Sequence, residues 1–182
     1  MNRTEFERLI ASAPRPEDRI AGFGALLSKE SKTAVEIVGG SAIEIRLSSE
    51  SHASQVVDLV GRRDRIAPVL RRWGFREVAG RSQRIYWFKR PIGLVDLVGR
   101  GDRSGLRPTK WKTPFGPVLV SAVEPLIVRR LMRSQRERSA ELYAQAVQLA
   151  RLGSLDWEYL EAMAGYEGFV VLFERLKRRV RG

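Results

Sequence analysis

The spacing of apolar positions changes twice along the chain. Residues 4–13 and 16–32 carry apolar side chains at helical spacing, which predicts two helices. Between 33 and 98, short β-branched runs alternate with helical stretches and tight turns, which predicts a mixed sheet. Helical spacing returns in a long charged segment from 123 to about 152, in 155–164 and in 169–180. We expect an α/β domain over 1–120 and a helical part over 121–182.

Two strands of the predicted sheet share one five-residue sequence. Val57–Gly61 (VDLVG) recurs 38 residues later as Val95–Gly99. Because side chains alternate across a strand, Asp58 and Asp96 point away from the Val and Leu side chains beside them. If the strands are neighbours in register, both carboxylates leave the same face, and so close a pair needs a proton or a cation between them. Mg²⁺ fills this role in sites that also bind substrate phosphates. Alternatively, each aspartate caps the turn that follows it.

A glycine pair follows the first predicted strand. The sequence Val38-Gly39-Gly40-Ser41 leads directly into a predicted helix. Glycines allow a backbone to approach a ligand closely, and the start of a helix binds phosphate through its N–H groups. We expect Gly39, Gly40 and Ser41 to contact a nucleotide phosphate. The alternative is that Ser41 and Glu44 form a capping box, which needs no ligand.

Charge points to a polyanionic partner. The net charge is +12, and only six of the 33 basic residues are lysines. Arginine presents a planar fork of donors that suits phosphate, and a basic protein attracts polyanions such as RNA. The alternative is a compositional bias or a thermophilic surface.

One basic segment also contains a tryptophan. Residues 100–117 are rich in glycine and proline, which predicts a basic loop. Cationic side chains around an aromatic ring suit backbone contacts and base stacking. The candidate nucleic-acid ligands in this loop are Arg103, Arg107, Lys110, Trp111 and Lys112. The alternative is a solvated loop with its tryptophan packed on the core.

Cysteine and histidine usage excludes several chemistries. The chain has no cysteine and one histidine, His52, which excludes disulfides, thiolate zinc sites and multi-histidine metal sites. Any metal is expected to be a hard cation on oxygen ligands. No apolar run approaches the roughly 18 residues of a membrane span, and the N-terminal sequence lacks a signal-peptide pattern. We expect a cytoplasmic protein without a membrane partner.

In their order along the chain, these features resemble the nucleotidyltransferase fold. The segments that carry the resemblance are Val38–Ala42, Val57–Gly61, Trp73–Phe75, Val95–Val98, Glu124–Leu131 and Leu155–Leu160. The nearest branch is the abortive-infection type nucleotidyltransferase toxins and minimal nucleotidyltransferases. The resemblance implies a mixed β-sheet flanked by helices, an NTP substrate, Mg²⁺ or Mn²⁺, and the possibility of an antitoxin or other protein partner.

The resemblance also implies residue roles. Asp58 and Asp96 match two of the three metal-binding carboxylates of the family. The first aspartate of its D-x-D pattern falls on Val56, which cannot bind a metal. Arg130 stands about where the family has a lysine, and an arginine there can bind phosphate.

Three functions remain open from the sequence. The first is transfer of a nucleotidyl group from an NTP to an RNA or protein hydroxyl. The second is a catalytically weakened relative that binds nucleotide or RNA through its basic surface. The third is a structural or partner-binding module.

Overall fold

The structure is a computed structural model that describes residues 1–48, 56–79, 85–98 and 106–182. These residues form eight helices and seven strands. The helices are α1 (Arg3–Ala11), α2 (Pro16–Ser31), α3 (Gly39–Leu47), α4 (Arg63–Arg72), α5 (Val123–Glu137), α6 (Ala140–Ala150), α7 (Trp157–Glu167) and α8 (Val170–Arg181). The strands are β1 (Glu36–Ile37), β2 (Val56–Val60), β3 (Arg76–Ala79), β4 (Ile85–Lys89), β5 (Gly93–Val98), β6 (Thr109–Thr113) and β7 (Gly116–Val120).

The chain divides into two compact units, Met1–Ser121 and Ala122–Gly182. The first unit contains α1 to α4 and the seven strands, and the second contains α5 to α8.

The strands of the first unit form one mixed sheet in the order β3-β4-β5-β2-β1-β7-β6. The pairs β2/β5 and β1/β7 are parallel, and the other neighbours are antiparallel. Two strands that are far apart in sequence, β2 and β5, therefore lie side by side near the middle of the sheet. This confirms the predicted mixed α/β architecture.

The two faces of the sheet differ in burial. On one face Val57, Val95 and Trp87 are at most 1% exposed. Helix α2 packs closely on this face, because a Cβ atom on Gly24 would lie 2.8 Å from Val118 Cγ2. On the other face Phe88 is 39% exposed. We call this second side of the sheet the open face.

An aromatic cluster forms the core beside the covered face. Phe6 of α1 stacks on Trp73 with ring centroids 4.3 Å apart. Phe23 of α2 lies against Phe75, with centroids 5.6 Å apart. Offset and tilted aromatic pairs of this kind stabilise a core beyond the area that they bury.

Two predicted boundaries were wrong. The helix after the glycine pair begins at Gly39, with Val38 as its N-cap and no side-chain cap, so Ser41 and Glu44 do not form the alternative capping box. The predicted single segment from 123 to 152 is two helices, because Arg138 adopts a left-handed conformation and Ser139 caps α6 by accepting from the Leu142 N–H.

The prediction of a basic loop over residues 100–117 is also wrong in the described part of that range, because β6 and β7 form a hairpin there. Thr113 stabilises the turn by accepting from the Phe115 N–H at 3.1 Å and donating to the Gly116 carbonyl at 2.7 Å. Threonine hydroxyls that bond to nearby backbone in this way favour turns.

The helices of the second unit have their own core, which includes Leu131, Leu149, Leu160, Phe173 and Leu176. None of the helices in the described part of the chain is both long enough and apolar enough to cross a bilayer.

Candidate functional site

The two aspartates of the repeated sequence lie directly opposite each other. Strands β2 and β5 pair in parallel with Asp58 opposite Asp96, and each residue from Val57 to Val60 faces its counterpart in the second copy. Neighbouring strands are about 4.8 Å apart and register partners project from the same face, so both carboxylates leave the open face together. The predicted juxtaposition of the two aspartates is confirmed.

The start of α3 lies against this pair. Gly39 has φ +60°, and a Cβ atom there would lie 2.5 Å from Asp58 Oδ2. The Val38 N–H donates to the Asp58 carbonyl at 3.0 Å, which extends the β1–β2 pairing up to the helix start. Only glycine meets both the conformational and the spatial requirement at position 39. The Asp58 carboxylate thus adjoins the end of a helix that carries a partial positive charge.

Ser41 holds α3 onto β2. Its side chain is fully buried, and its hydroxyl donates to the Val56 carbonyl at 3.1 Å. The hydroxyl proton is therefore committed to the backbone in this structure. The predicted contact of Ser41 with a phosphate stays a prediction, and it would have to use the backbone N–H, since Gly39, Gly40 and Ser41 form the first turn of α3.

Aromatic residues continue the open face on the other side of Asp96. Tyr86 of β4 is the register partner of Asp96, and Val78 of β3 is the register partner of Tyr86. One row across four strands therefore reads Val78, Tyr86, Asp96, Asp58. The neighbouring row contains Arg76, Phe88, Leu94 and Val56. Asp96 is only 6% exposed, whereas Val78 and Phe88 are 40% and 39% exposed.

Sequence reasoning missed the aromatic part of this surface. The pattern of strand Ile85–Lys89 did indicate it, because side chains alternate between the two faces of a strand. With Trp87 buried on one face, Tyr86 and Phe88 lie on the opposite face.

The structure separates the residues predicted to bind nucleic acid. Lys110 and Lys112 are exposed on β6, while Trp111 between them is half-buried and pairs with Val118. Because side chains alternate, the two lysines and the tryptophan leave opposite faces of the strand and cannot surround one nucleotide. Arg107 is exposed just before β6, and Arg103 lies outside the described residues.

Arg130 lies on α5 in the second unit and is half-buried. Its predicted role in binding a phosphate stays a prediction.

The fold of this chain is similar to that of solved structures. A crystal structure of an antigenic nucleotidyltransferase-like protein from Paracoccidioides brasiliensis superimposes with a TM-score of 0.62 at 16% identity, covering 88% of this chain and 92% of that one. The chain has a nucleotidyltransferase-like fold. The solution structure of the antibiotic-resistance factor ANT(2'')-Ia gives a TM-score of 0.55 at 16% identity, covering 88% of this chain and 97% of that one.

No protein-family model and no curated protein matches the sequence. The likeness at this level of identity concerns the nucleotidyltransferase-like fold itself. The abortive-infection branch within that fold therefore stays a prediction.

The donor set at the aspartate pair suits one divalent cation. Among residues 1–48, 56–79, 85–98 and 106–182, no group of three His, Asp or Glu side chains could hold a metal ion. Mg²⁺, however, is commonly held by one or two carboxylates, with substrate phosphates and water completing its shell. Asp58 and Asp96 fit that requirement for a single ion. Val56, which stands two residues before Asp58 on the same face, supplies no third ligand.

Proposed function

We propose that the chain is a metal-dependent nucleotidyltransferase, which moves a nucleotidyl group from an NTP to a hydroxyl group of an RNA or protein acceptor. The observation that carries this proposal is the in-register pair of Asp58 and Asp96 beside the first residue of α3. Carboxylates on adjacent strands and a glycine-bounded helix start are the two kinds of group that hold a cation and a phosphate chain.

Mg²⁺ or Mn²⁺ is the metal that this donor set would take, with Asp58 and Asp96 as its protein ligands. When bound, such an ion would neutralise charge on the phosphate oxygens at the reacting phosphorus.

The residues at the start of α3 are proposed to position the phosphates of the nucleotide. Gly39 and Gly40 leave the first turn of α3 accessible to the phosphates, because neither carries a side chain. Ser41 fixes that turn to β2 through the Val56 carbonyl.

The reaction forms a bond from the acceptor hydroxyl oxygen to the α-phosphorus and breaks the bond from that phosphorus to pyrophosphate. The hydroxyl proton is released to water. Positioning of these atoms and neutralisation of the phosphate charge are the main contributions that an enzyme makes to such a transfer. The net charge of +12 favours RNA over a neutral acceptor.

The test is incubation of the protein with each α-labelled NTP, Mg²⁺ or Mn²⁺, and either total tRNA or a protein extract. Wild type should label an acceptor, and Asp58→Asn and Asp96→Asn should each lower the rate by at least about a hundredfold, because the ion loses one of its two protein ligands. Asp64→Asn is the matched control, since Asp64 is an exposed carboxylate that pairs with Arg62 at the start of α4. Labelling that survives both site substitutions would reject the assignment.

A second candidate rests on Val56. With an aliphatic side chain in place of a third carboxylate, the site could bind an NTP and one cation without efficient transfer. In that case wild type binds NTP in a Mg²⁺-dependent manner, Asp58→Asn abolishes binding, and no labelled product forms. A protein that shows neither binding nor labelling would instead be a structural or partner-binding module, and an antitoxin-like partner would then be sought by co-purification.

A further inference from the structure

The second unit contains a groove that the proposed reaction does not use. It has a volume of about 830 Å³ and runs along α6, beside the end of α5 and the first turn of α8. Tyr143, Val147 and Leu172 are among the residues that line it. Because both ends of α6 contribute to the lining, the groove extends for roughly 16 Å, the length of an eleven-residue helix.

Arginines dominate the charge of this groove. Its lining includes Arg138, Arg151, Arg175 and Arg179, and it includes no Asp or Glu. Within the described part of the chain none of these four makes an ion pair, whereas nearby Arg133 and Arg136 both pair with Glu137. The four guanidinium groups therefore add up to a positive potential that no carboxylate of the groove offsets.

The start of α8 adds to the same potential. Val170, Val171 and Leu172 form the first turn of α8 and line the groove, and the N-cap residue Phe169 makes no side-chain cap. The uncapped N–H groups at the start of a helix attract anions, as does the positive end of the helix dipole.

One buried polar group in the lining has no hydrogen-bond partner in the described part of the chain. Tyr143 is 7% exposed, and its hydroxyl has no hydrogen-bond partner among the residues that the structure describes. The Arg175 guanidinium lies over the tyrosine ring, 5.1 Å from its centroid. Buried hydroxyl groups are nearly always hydrogen-bonded, so this hydroxyl is a candidate hydrogen-bond donor to a ligand in the groove.

We propose that this arginine groove binds consecutive phosphate groups of an RNA strand. The planar guanidinium group of arginine binds two phosphate oxygens at once, and an RNA strand carries one negative charge per nucleotide, so consecutive phosphates can lie along the groove. A single phosphate or a mononucleotide would occupy only part of its length. Taken with the proposed function, on which this last step rests, the groove holds the acceptor RNA.

The test measures binding of a fluorescent twelve-nucleotide single-stranded RNA by anisotropy over a range of salt concentrations. Arg151→Ala/Arg179→Ala removes two of the four exposed arginines that line the groove. We expect the affinity to fall about tenfold or more, and the slope of log K against log salt to decrease by about 1.4, at 0.7 per lost phosphate contact. Arg151→Lys/Arg179→Lys should retain part of the affinity, because lysine keeps the positive charge but cannot make the paired hydrogen bonds of the guanidinium group.

Arg136→Ala/Arg178→Ala is the matched control, since it removes the same charge from the same unit at two exposed positions outside the groove. It should bind RNA nearly as wild type does, and thermal melting should show that both double variants fold. Equal losses in the two double variants would overturn the proposal, because binding would then depend on net charge alone. Full competition by ATP at equal phosphate concentration, or tighter binding of poly-glutamate than of RNA, would also overturn it.

The two proposals fail in different ways. Asp58→Asn should lose nucleotidyl transfer and keep RNA binding, while Arg151→Ala/Arg179→Ala should lose RNA binding and keep Mg²⁺-dependent NTP binding. Normal RNA binding by a wild type that transfers no nucleotide would reject the enzyme and retain the groove.

Discussion

Gly39 leaves no room for a side chain next to the Asp58 carboxylate, because a Cβ atom on Gly39 would lie 2.5 Å from Asp58 Oδ2. Gly39→Ala would also place a non-glycine residue at φ +60°, at a cost of about 1–2 kcal/mol. We therefore expect Gly39→Ala to lower the melting temperature and to displace the carboxylate, which should weaken Mg²⁺-dependent NTP binding. Calorimetric titration and thermal melting measure the two effects.

Gly165→Ala is the control for this substitution. Gly165 lies inside α7, and a Cβ atom there would meet nothing within 4 Å. Alanine should stabilise that helix by about 0.5–1 kcal/mol and leave NTP binding unchanged. If Gly39→Ala bound NTP like wild type, the α3 start would not belong to the site.

Val56→Asp should strengthen the cation site. The new carboxylate would lie two residues before Asp58 on the same face, near the point where Ser41 joins α3 to β2. We expect a lower Mn²⁺ concentration for half-maximal NTP binding, by about tenfold, and faster transfer if chemistry is limited by the missing ligand.

Val60→Asp tests whether position matters. Val60 lies on the other side of Asp58 on the same face, opposite Glu36 of β1. An added carboxylate there has a like charge as its neighbour and lies away from the start of α3. Equal gains from Val56→Asp and Val60→Asp would indicate a non-specific effect of negative charge.

Phe88 offers a stacking surface beside the aspartates. It is the diagonal neighbour of Asp96 on the open face, at a distance of about 7–8 Å, and is 39% exposed. Phe88→Ser should weaken binding of the nucleotide about tenfold, since stacking of a base on an aromatic ring contributes about 1–3 kcal/mol. Tyr166→Ser, at an aromatic residue that is 84% exposed in the second unit, should have no effect. Fluorescence titration with labelled ATP distinguishes the two variants.

The Glu7–Lys89 pair should make stability depend on pH. Lys89 is 8% exposed on β4 and lies 2.5 Å from Glu7 of α1. The Lys89 ammonium first, and the Arg3 guanidinium next, hold the pKa of the Glu7 carboxyl below its ordinary value of 4.5. A lowered pKa means that the ionised carboxylate stabilises the folded state above pH 4.5, and that this stabilisation is lost as the pH falls through the lowered value.

Glu7→Gln should therefore lower the melting temperature at pH 7, and the difference from wild type should shrink below pH 4.5. Glu161→Gln is the control, because Glu161 pairs with Lys177 at 3.5 Å on the surface and such pairs contribute little. A difference for Glu7→Gln that stayed constant down to pH 3 would contradict the assignment to this carboxylate.

The aspartate pair could be predicted because the sequence repeats itself. Two identical apolar strands that each carry one aspartate favour a shared environment, and the alternation of side chains then fixes which face the carboxylates leave. The start of α3 was less predictable, since its N-cap is Val38, which supplies no side-chain acceptor. The preference of serine for N-cap positions suggested Ser41 instead.

The amino-acid composition around β6 and β7 led to a wrong prediction for this hairpin. The glycines and prolines around it predicted a loop, although Thr109–Thr113 alternates and a threonine precedes the Pro114–Phe115 turn. The arginine groove could not be predicted from sequence at all. Two of its basic residues are the C-caps of α5 and α6 and the other two lie in α8, and only tertiary packing brings Arg138, Arg151 and Arg179 to one surface.

The parallel match of β2 with β5 has a consequence for the choice of register during folding. Each apolar residue from Val57 to Val60 pairs with the same residue type in β5. The register that best buries the aliphatic side chains is therefore also the register that brings the two negative charges together. A shift by two residues would separate the charges and preserve the facing of the strands. A divalent ion that is present while the chain folds would therefore stabilise the native register relative to the register shifted by two residues. We expect the refolding yield to rise with the Mg²⁺ concentration even when no nucleotide is present.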